Sequence, residues 1–142
     1  MIRRFPYKAF GDSAPRPVIG VELTAVDGSK FTSWALVDSG ASGTLFPNAM
    51  MDRLGIDKRD CRAATIIQVD GSTTGQYWDP GHTIGVWDGT VAYAAEAFFA
   101  PLEMSFGGIL LGRGDYLRLY DAIVFDERHQ ELRLELNEEP AR

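Results

Sequence analysis

The chain has a single cysteine, Cys61. A lone thiol closes no internal disulfide, so this is not a disulfide-stapled scaffold. The expectation is a reducing, cytoplasmic compartment with an idle thiol rather than a nucleophile. Histidine is almost as scarce. His82 and His129 are the only two, and neither stands with Cys61 or with acids at a zinc-binding spacing. No metal and no cofactor is expected. Positive charge is also short, with 14 Lys and Arg against 20 Asp and Glu, a net charge of −6 and a pI near 4.8. That balance argues against a nucleic-acid partner and against an anionic membrane surface. No apolar stretch follows Met1-Ile2-Arg3-Arg4, and none reaches membrane-spanning length. A Gly-x-Ser-x-Gly elbow is missing too, since Gly40-Ala41-Ser42-Gly43 lacks a spacer, which disfavours serine-hydrolase chemistry.

What is present reads mostly as strand. With 142 residues and 45% hydrophobic content, the chain can close one core and is short for two domains. We expect an extended N-terminal arm over residues 1–16, one domain over 17–137 and a C-terminal tail over 138–142. Val18 to Leu23 and Phe31 to Val37 flank Asp27-Gly28-Ser29, the pattern of a hairpin. Thr44 to Phe46 is a short strand, and Pro47 to Leu54 a two-turn helix closed by Gly55. Its methionines are core filler. Cys61 to Val69 and Gln76 to Val86 form a long hairpin around a glycine-bearing tip that contains Gly71 and Gly75. Trp87-Asp88-Gly89-Thr90 is a further turn, and Val91 to Ala100 returns as a strand. Asp121 to Phe125 and Glu131 to Leu136 form the last hairpin, where leucine alternating with charge marks a half-buried strand. Trp34, Trp78 and Trp87 are read as core anchors rather than nucleotide-stacking platforms.

Chemistry concentrates in two runs. Ala35-Leu36-Val37-Asp38-Ser39-Gly40-Ala41 sets a carboxylate, a hydroxyl and a glycine behind an apolar strand, and Gly108-Ile109-Leu110-Leu111-Gly112-Arg113 follows late in the chain. In this order they resemble the retropepsin-like aspartic proteases, over roughly Val18 to Leu119. The resemblance implies an all-β fold: a closed, mostly antiparallel acid-protease barrel with one or two short helices. It implies a mobile flap at the glycine-bearing tip and a short helix over Gly112 to Leu119. It also implies that Ser39 grips the neighbouring chain's loop and that Gly40 admits the substrate backbone. Catalytic candidates are Asp38, Ser39 and Gly40; substrate-binding candidates are Ala41, Val69, Gly71, Gly75, Met104, Phe106 and Leu110. Where retroviral members often carry an Asp two residues after the motif glycine, this chain has Ser42. Arg113 is then left to Asp115, to an inter-chain carboxylate or to solvent.

Acid-protease chemistry needs two carboxylates, one activating water and one protonated against the scissile carbonyl. The chain supplies one Asp-Ser-Gly. Asp27, Asp70 and Asp88 each precede glycine in a turn pattern and are not the missing half. Two copies of Asp38 meeting across a two-fold axis would complete the site. The expected activity is therefore that of a homodimeric aspartic endopeptidase acting on peptides or proteins. The alternatives are a non-catalytic dimerisation or peptide-binding module on the same fold, or a structural protein in which Asp38 is a buried acceptor.

Overall fold

The computed structural model describes residues 1–11, 13–67, 73–102 and 106–137, without the side chains of 66–67 and 73–76. Its strands are β1 (Ile2–Pro6), β2 (Val18–Thr24), β3 (Lys30–Val37), β4 (Leu45–Pro47), β5 (Arg62–Ile67) and β6 (Thr73–Asp79). They continue as β7 (Thr83–Trp87), β8 (Ala92–Glu96), β9 (Phe98–Ala100), β10 (Ile109–Leu111), β11 (Ala122–Asp126) and β12 (Glu131–Glu135). Nine of them form one sheet in the order β5-β6-β9-β4-β10-β3-β2-β7-β8, and β1-β12-β11 form a second. Most pairings are antiparallel; β3 with β10 and β4 with β9 run parallel. Among the described residues neither sheet closes on itself. The mostly β architecture is present, whereas among the described residues both sheets are open and the expected closed barrel is not formed.

Local chemistry explains the elements. Between β2 and β3 the Asp27 carboxylate accepts from the Ser29 amide at 2.9 Å and from its hydroxyl at 2.6 Å, and Gly28 takes φ +87°. That left-handed backbone suits glycine. After β4, a 3₁₀ turn over Asn48–Met50 runs into α1 (Met51–Leu54), which ends on Gly55 at φ +77°. Met50 and Met51 are buried in the core, as their reading as filler expects.

Strand alternation divides the apolar side chains between two faces of the large sheet. Ile19, Val21, Leu23, Ala35, Val37, Ile109 and Leu111 belong to the main core. Val18 and Leu36 point the other way and join Phe106, with Phe10 and Leu110 packed alongside. Leu132 and Leu134 of β12 are fully buried in the main core, which fastens the second sheet onto the first. Each such burial contributes about 1.5–3 kcal/mol. Trp34 and Trp87, read from sequence as core anchors, are 40% and 47% exposed, whereas Trp78 packs on the core.

The N-terminal segment is tied down twice. β1 pairs along the whole of β12, and Lys8 and Arg16 bridge each other antiparallel.

Candidate active site

Asp38 leaves the end of β3 between two neighbours. Leu111 lies level with Val37 in the parallel β3–β10 ladder, and its carbonyl accepts the Asp38 amide at 2.9 Å, extending that ladder by one rung. On the other side the Val37 amide donates to the Pro17 carbonyl at 3.0 Å. The chain then turns sharply. The Ala41 amide donates to the Asp38 carbonyl at 3.2 Å, and the Gly40 amide donates to Asp38 Oδ1 at 2.8 Å. A Cβ at Gly40 would lie 3.1 Å from that same oxygen, so glycine gives the amide close access to the carboxylate. Asp38 is half-buried, while Ser39 and Gly40 are exposed at the tip. The outcome is a carboxylate with one oxygen held by a backbone donor, a geometry suited to a base that must stay in one orientation.

The second run holds this loop from beneath. The Arg113 amide donates to the Ala41 carbonyl at 2.9 Å and the Gly114 amide to the Ser42 carbonyl at 2.7 Å. A Cβ at Gly112 would meet the Gly43 carbonyl oxygen at 2.3 Å, and one at Gly108 would meet the Trp34 carbonyl oxygen at 1.9 Å. Both distances are shorter than any side chain tolerates, which is why glycine brackets Ile109-Leu110-Leu111. Only glycine lets β10 lie this close to β3 and to the Asp38 loop. Thr44, fully buried, donates its amide to Asp115 Oδ2 at 3.2 Å and shares a 2.8 Å hydrogen bond between its hydroxyl and that of Tyr93.

The short helix expected over Gly112 to Leu119 is mostly a turn, with a single 3₁₀ turn at Leu117–Leu119. Its leading amides are drawn to the carbonyls of the Asp38 loop. Asp115 accepts from the Thr44 and Tyr116 amides. Arg113 is exposed and forms no ion pair among the described residues.

The remaining candidates divide. Phe106 and Leu110 come together with Leu36 and Val18 in the small cluster on the side of β3 opposite the main core. Phe106 is buried there rather than open to solvent. Gly75 sits in β6 where the β5–β6 register slips: Thr65 faces Gln76 while Ile66 faces Thr74, so Gly75 is the extra residue of a bulge. Val69, Gly71 and Met104 lie outside the described residues, as does the hairpin tip over 68–72. Two open clefts of the single chain, of about 560 and 550 Å³, lie elsewhere and do not include Asp38. Cys61 is half-buried, and burial foremost pushes its thiol up, away from the nucleophilic thiolate.

One acid that the sequence presents as an ordinary turn residue is the most buried carboxylate described. Asp88 accepts from the hydroxyls of Tyr116, at 2.7 Å, and Tyr120, and from the amides of Thr90 and Val91 at 2.8 and 2.9 Å. Arg3 of β1 lies 3.2 Å from its Oδ1 and donates to its backbone carbonyl at 3.0 Å. The network ties the N-terminal strand to the β7–β8 turn and to the segment that follows Gly112. The sequence signal was indirect, two tyrosines four residues apart, Tyr116 and Tyr120, both of which join the main core.

Burial foremost, then the Asp88 carboxylate, pushes the Tyr116 and Tyr120 phenols above their ordinary range. Burial also raises Tyr93, and Tyr7 is pushed up to about 12 by burial and its bond to Glu127. Folded values above unfolded ones mean that the stabilisation is complete below about pH 10, the unfolded value, and is lost as pH rises through the folded values. Alkaline titration should therefore show the phenolate absorbance of Tyr93, Tyr116 and Tyr120, three of the five tyrosines, appearing together with loss of the β circular dichroism signal. Phenolate absorbance from more than two tyrosines in a protein that stays folded would contradict the burial of these groups.

Residues 23–86 match the family described as aspartyl protease. The whole fold aligns with a retropepsin-like aspartic protease from Rickettsia conorii at TM-score 0.61 and 15% identity, covering 94% of this chain and 91% of that one. The chain has the retropepsin-like fold. A second similar structure is the retroviral protease-like domain of Ddi1 from Leishmania major, at TM-score 0.46 and 20% identity, covering 86% and 90% of the two chains. No curated protein matches the sequence. In this retropepsin-like chain the family match spans β3 and Asp38 and ends within β7. Among the described residues no helix is long and apolar enough to cross a membrane.

Proposed function

We propose that the protein is a homodimeric aspartic endopeptidase in which two Asp38 carboxylates, one from each chain, share a proton and activate a water against a peptide carbonyl. The observation that carries this reading is the Asp38 loop itself. Its carboxylate is presented at the end of an apolar strand, oriented by the Gly40 amide and clasped by Gly112 to Gly114. Such a carboxylate is half of a site. Among the described residues, the turn acids that could supply the other half within one chain are committed elsewhere: Asp27 to Ser29, and Asp88 to the buried tyrosines; Asp70 lies outside the described residues. Two like charges brought close cannot both ionise, which gives the base and the acid their separate roles.

In this reading Ser39 locks the two loops together and Gly40 admits the substrate backbone. Ala41, Val69, Gly71, Gly75, Met104, Phe106 and Leu110 line the groove, and the β5–β6 hairpin closes over it as a flap. Residues 17–137 act as one domain. A cytoplasmic setting suits the lone, unactivated Cys61 thiol. Since each chain holds half a site, specific activity should rise with protein concentration as chains associate. Peptide cleavage and sedimentation measured over one dilution series should follow the same curve. Full activity in a preparation that sediments only as monomer would exclude the shared site, and a stable dimer without cleavage would favour the binding module.

A further inference from the structure

The small apolar cluster lies on the side of β3 from which Asp38 emerges. Leu36 stands two residues before Asp38, and strand alternation gives the two the same side. Val18 of β2 and Leu110 of β10 flank Leu36 in register, and Phe106 completes the group. What covers this cluster is a hairpin of the N-terminal segment rather than a strand of either sheet. Lys8 and Arg16 exchange amide–carbonyl hydrogen bonds at 2.9 Å each. Within their loop the Ser13 hydroxyl oxygen accepts the Phe10 amide at 3.2 Å and donates to the Phe10 carbonyl at 2.6 Å. Phe10 is thereby fixed with its ring 5.6 Å from Trp34 and 5.7 Å from Phe106. Lys8 lies over the other ring of this group, with Nζ 5.2 Å from the centre of Trp34.

The hairpin also leads directly alongside the catalytic candidate. Val18 faces Leu36, and the Pro17 carbonyl accepts the Val37 amide, so continuing the register brings Arg16 level with Asp38. A peptide side chain entering beside Asp38 on this face would meet the half-buried Leu110 and Phe10 ring, with Leu36 buried beneath them.

We propose that Phe10 is a specificity-determining residue: its ring fills the inner part of an apolar subsite beside Asp38, which therefore takes a compact aliphatic side chain of the substrate and rejects an aromatic one. The assignment deepens the peptidase reading and rests on it. The Ser13 hydrogen bonds keep Phe10 from withdrawing, and a large substrate ring would have to displace it from Trp34 and Phe106. Removing the Phe10 ring opens room for one.

The test uses the full chain and peptide pairs that differ only in Val or Phe at one position flanking the scissile bond, with each flanking position taken in turn. Wild type should favour Val, and Phe10→Ala should swing the Val-to-Phe ratio of kcat/KM toward Phe by about tenfold or more at one position. Phe10→Leu, which keeps the cluster filled and the hairpin seated, should swing it the same way by less, and it decides the matter if the alanine variant fails to fold. A ratio unchanged at both positions in a folded variant overturns the proposal while leaving the peptidase reading intact. A uniform loss on both peptides also overturns it, since that marks Phe10 as structural packing. Wild type that cleaves neither peptide nor any other substrate removes the peptidase reading and this proposal with it.

Discussion

Asp38→Asn should abolish peptide cleavage, by at least about a hundredfold in kcat, while leaving fold and dimer in place. The asymmetry between activity and stability follows from the geometry. Asn keeps an oxygen where Asp38 Oδ1 accepts the Gly40 amide at 2.8 Å, and the loop's other bonds are backbone to backbone: Asp38 to Leu111, Arg113 to Ala41 and Gly114 to Ser42. None of these needs the charge. What is lost is the ionisable group, and with it both the base that activates water and the proton a dyad would share. Cleavage assays beside thermal melts of the same preparations measure both halves. Undiminished cleavage by a folded Asn variant would rule Asp38 out as the catalytic acid.

Asp88→Ala should give the largest stability loss of any single turn substitution, about 3–5 kcal/mol. The Asp88 side chain is fully buried, and its removal strands the Tyr116 and Tyr120 hydroxyls, the Thr90 and Val91 amides and the inner side of Arg3 at once. Each stranded donor bears its own desolvation cost. Against a total stability of about 5–15 kcal/mol, such a loss brings the protein near its unfolding threshold. Equilibrium urea unfolding of variant and wild type measures it, and a difference below about 1 kcal/mol would contradict the network. The Asp38 loop is linked to the same group, because Tyr116 closes the turn whose amides hold that loop.

The two turns built on Asp-Gly show what the sequence could and could not tell. Asp27-Gly28-Ser29 and Asp88-Gly89-Thr90 look alike locally, and both cap a hairpin with carboxylate-to-amide bonds. Only the first is exposed. The second is buried because Arg3 from one end of the chain and Tyr116 and Tyr120 from the other converge on it, and no local pattern encodes that meeting. The Asp38 loop was legible for the opposite reason. Its strand, its glycine and the glycines bracketing Ile109 to Leu111 are each required by contacts within a few ångströms, so the residue types themselves carry the geometry. The expected helix after Gly112 shortens to one 3₁₀ turn at Leu117–Leu119, and Gly114 in its opening turn disfavours helix by about 1 kcal/mol relative to alanine. Barrel closure depends on how edge strands β5 and β8 are placed at long range, which strand periodicity does not report. Trp34 and Trp87 are outward-facing for a related reason: alternation sets which neighbours share a face, and the strand ends decide whether that face is covered.

The central claim is that one site is made by two chains, and mixing wild type with excess Asp38→Asn tests it most directly. At fixed total protein, after the chains have exchanged, activity should fall with the square of the wild-type fraction, to about one quarter in an equal mixture, because only dimers with two carboxylates act. A fall in simple proportion, to about one half, would mean that each chain carries a complete site and would contradict the account.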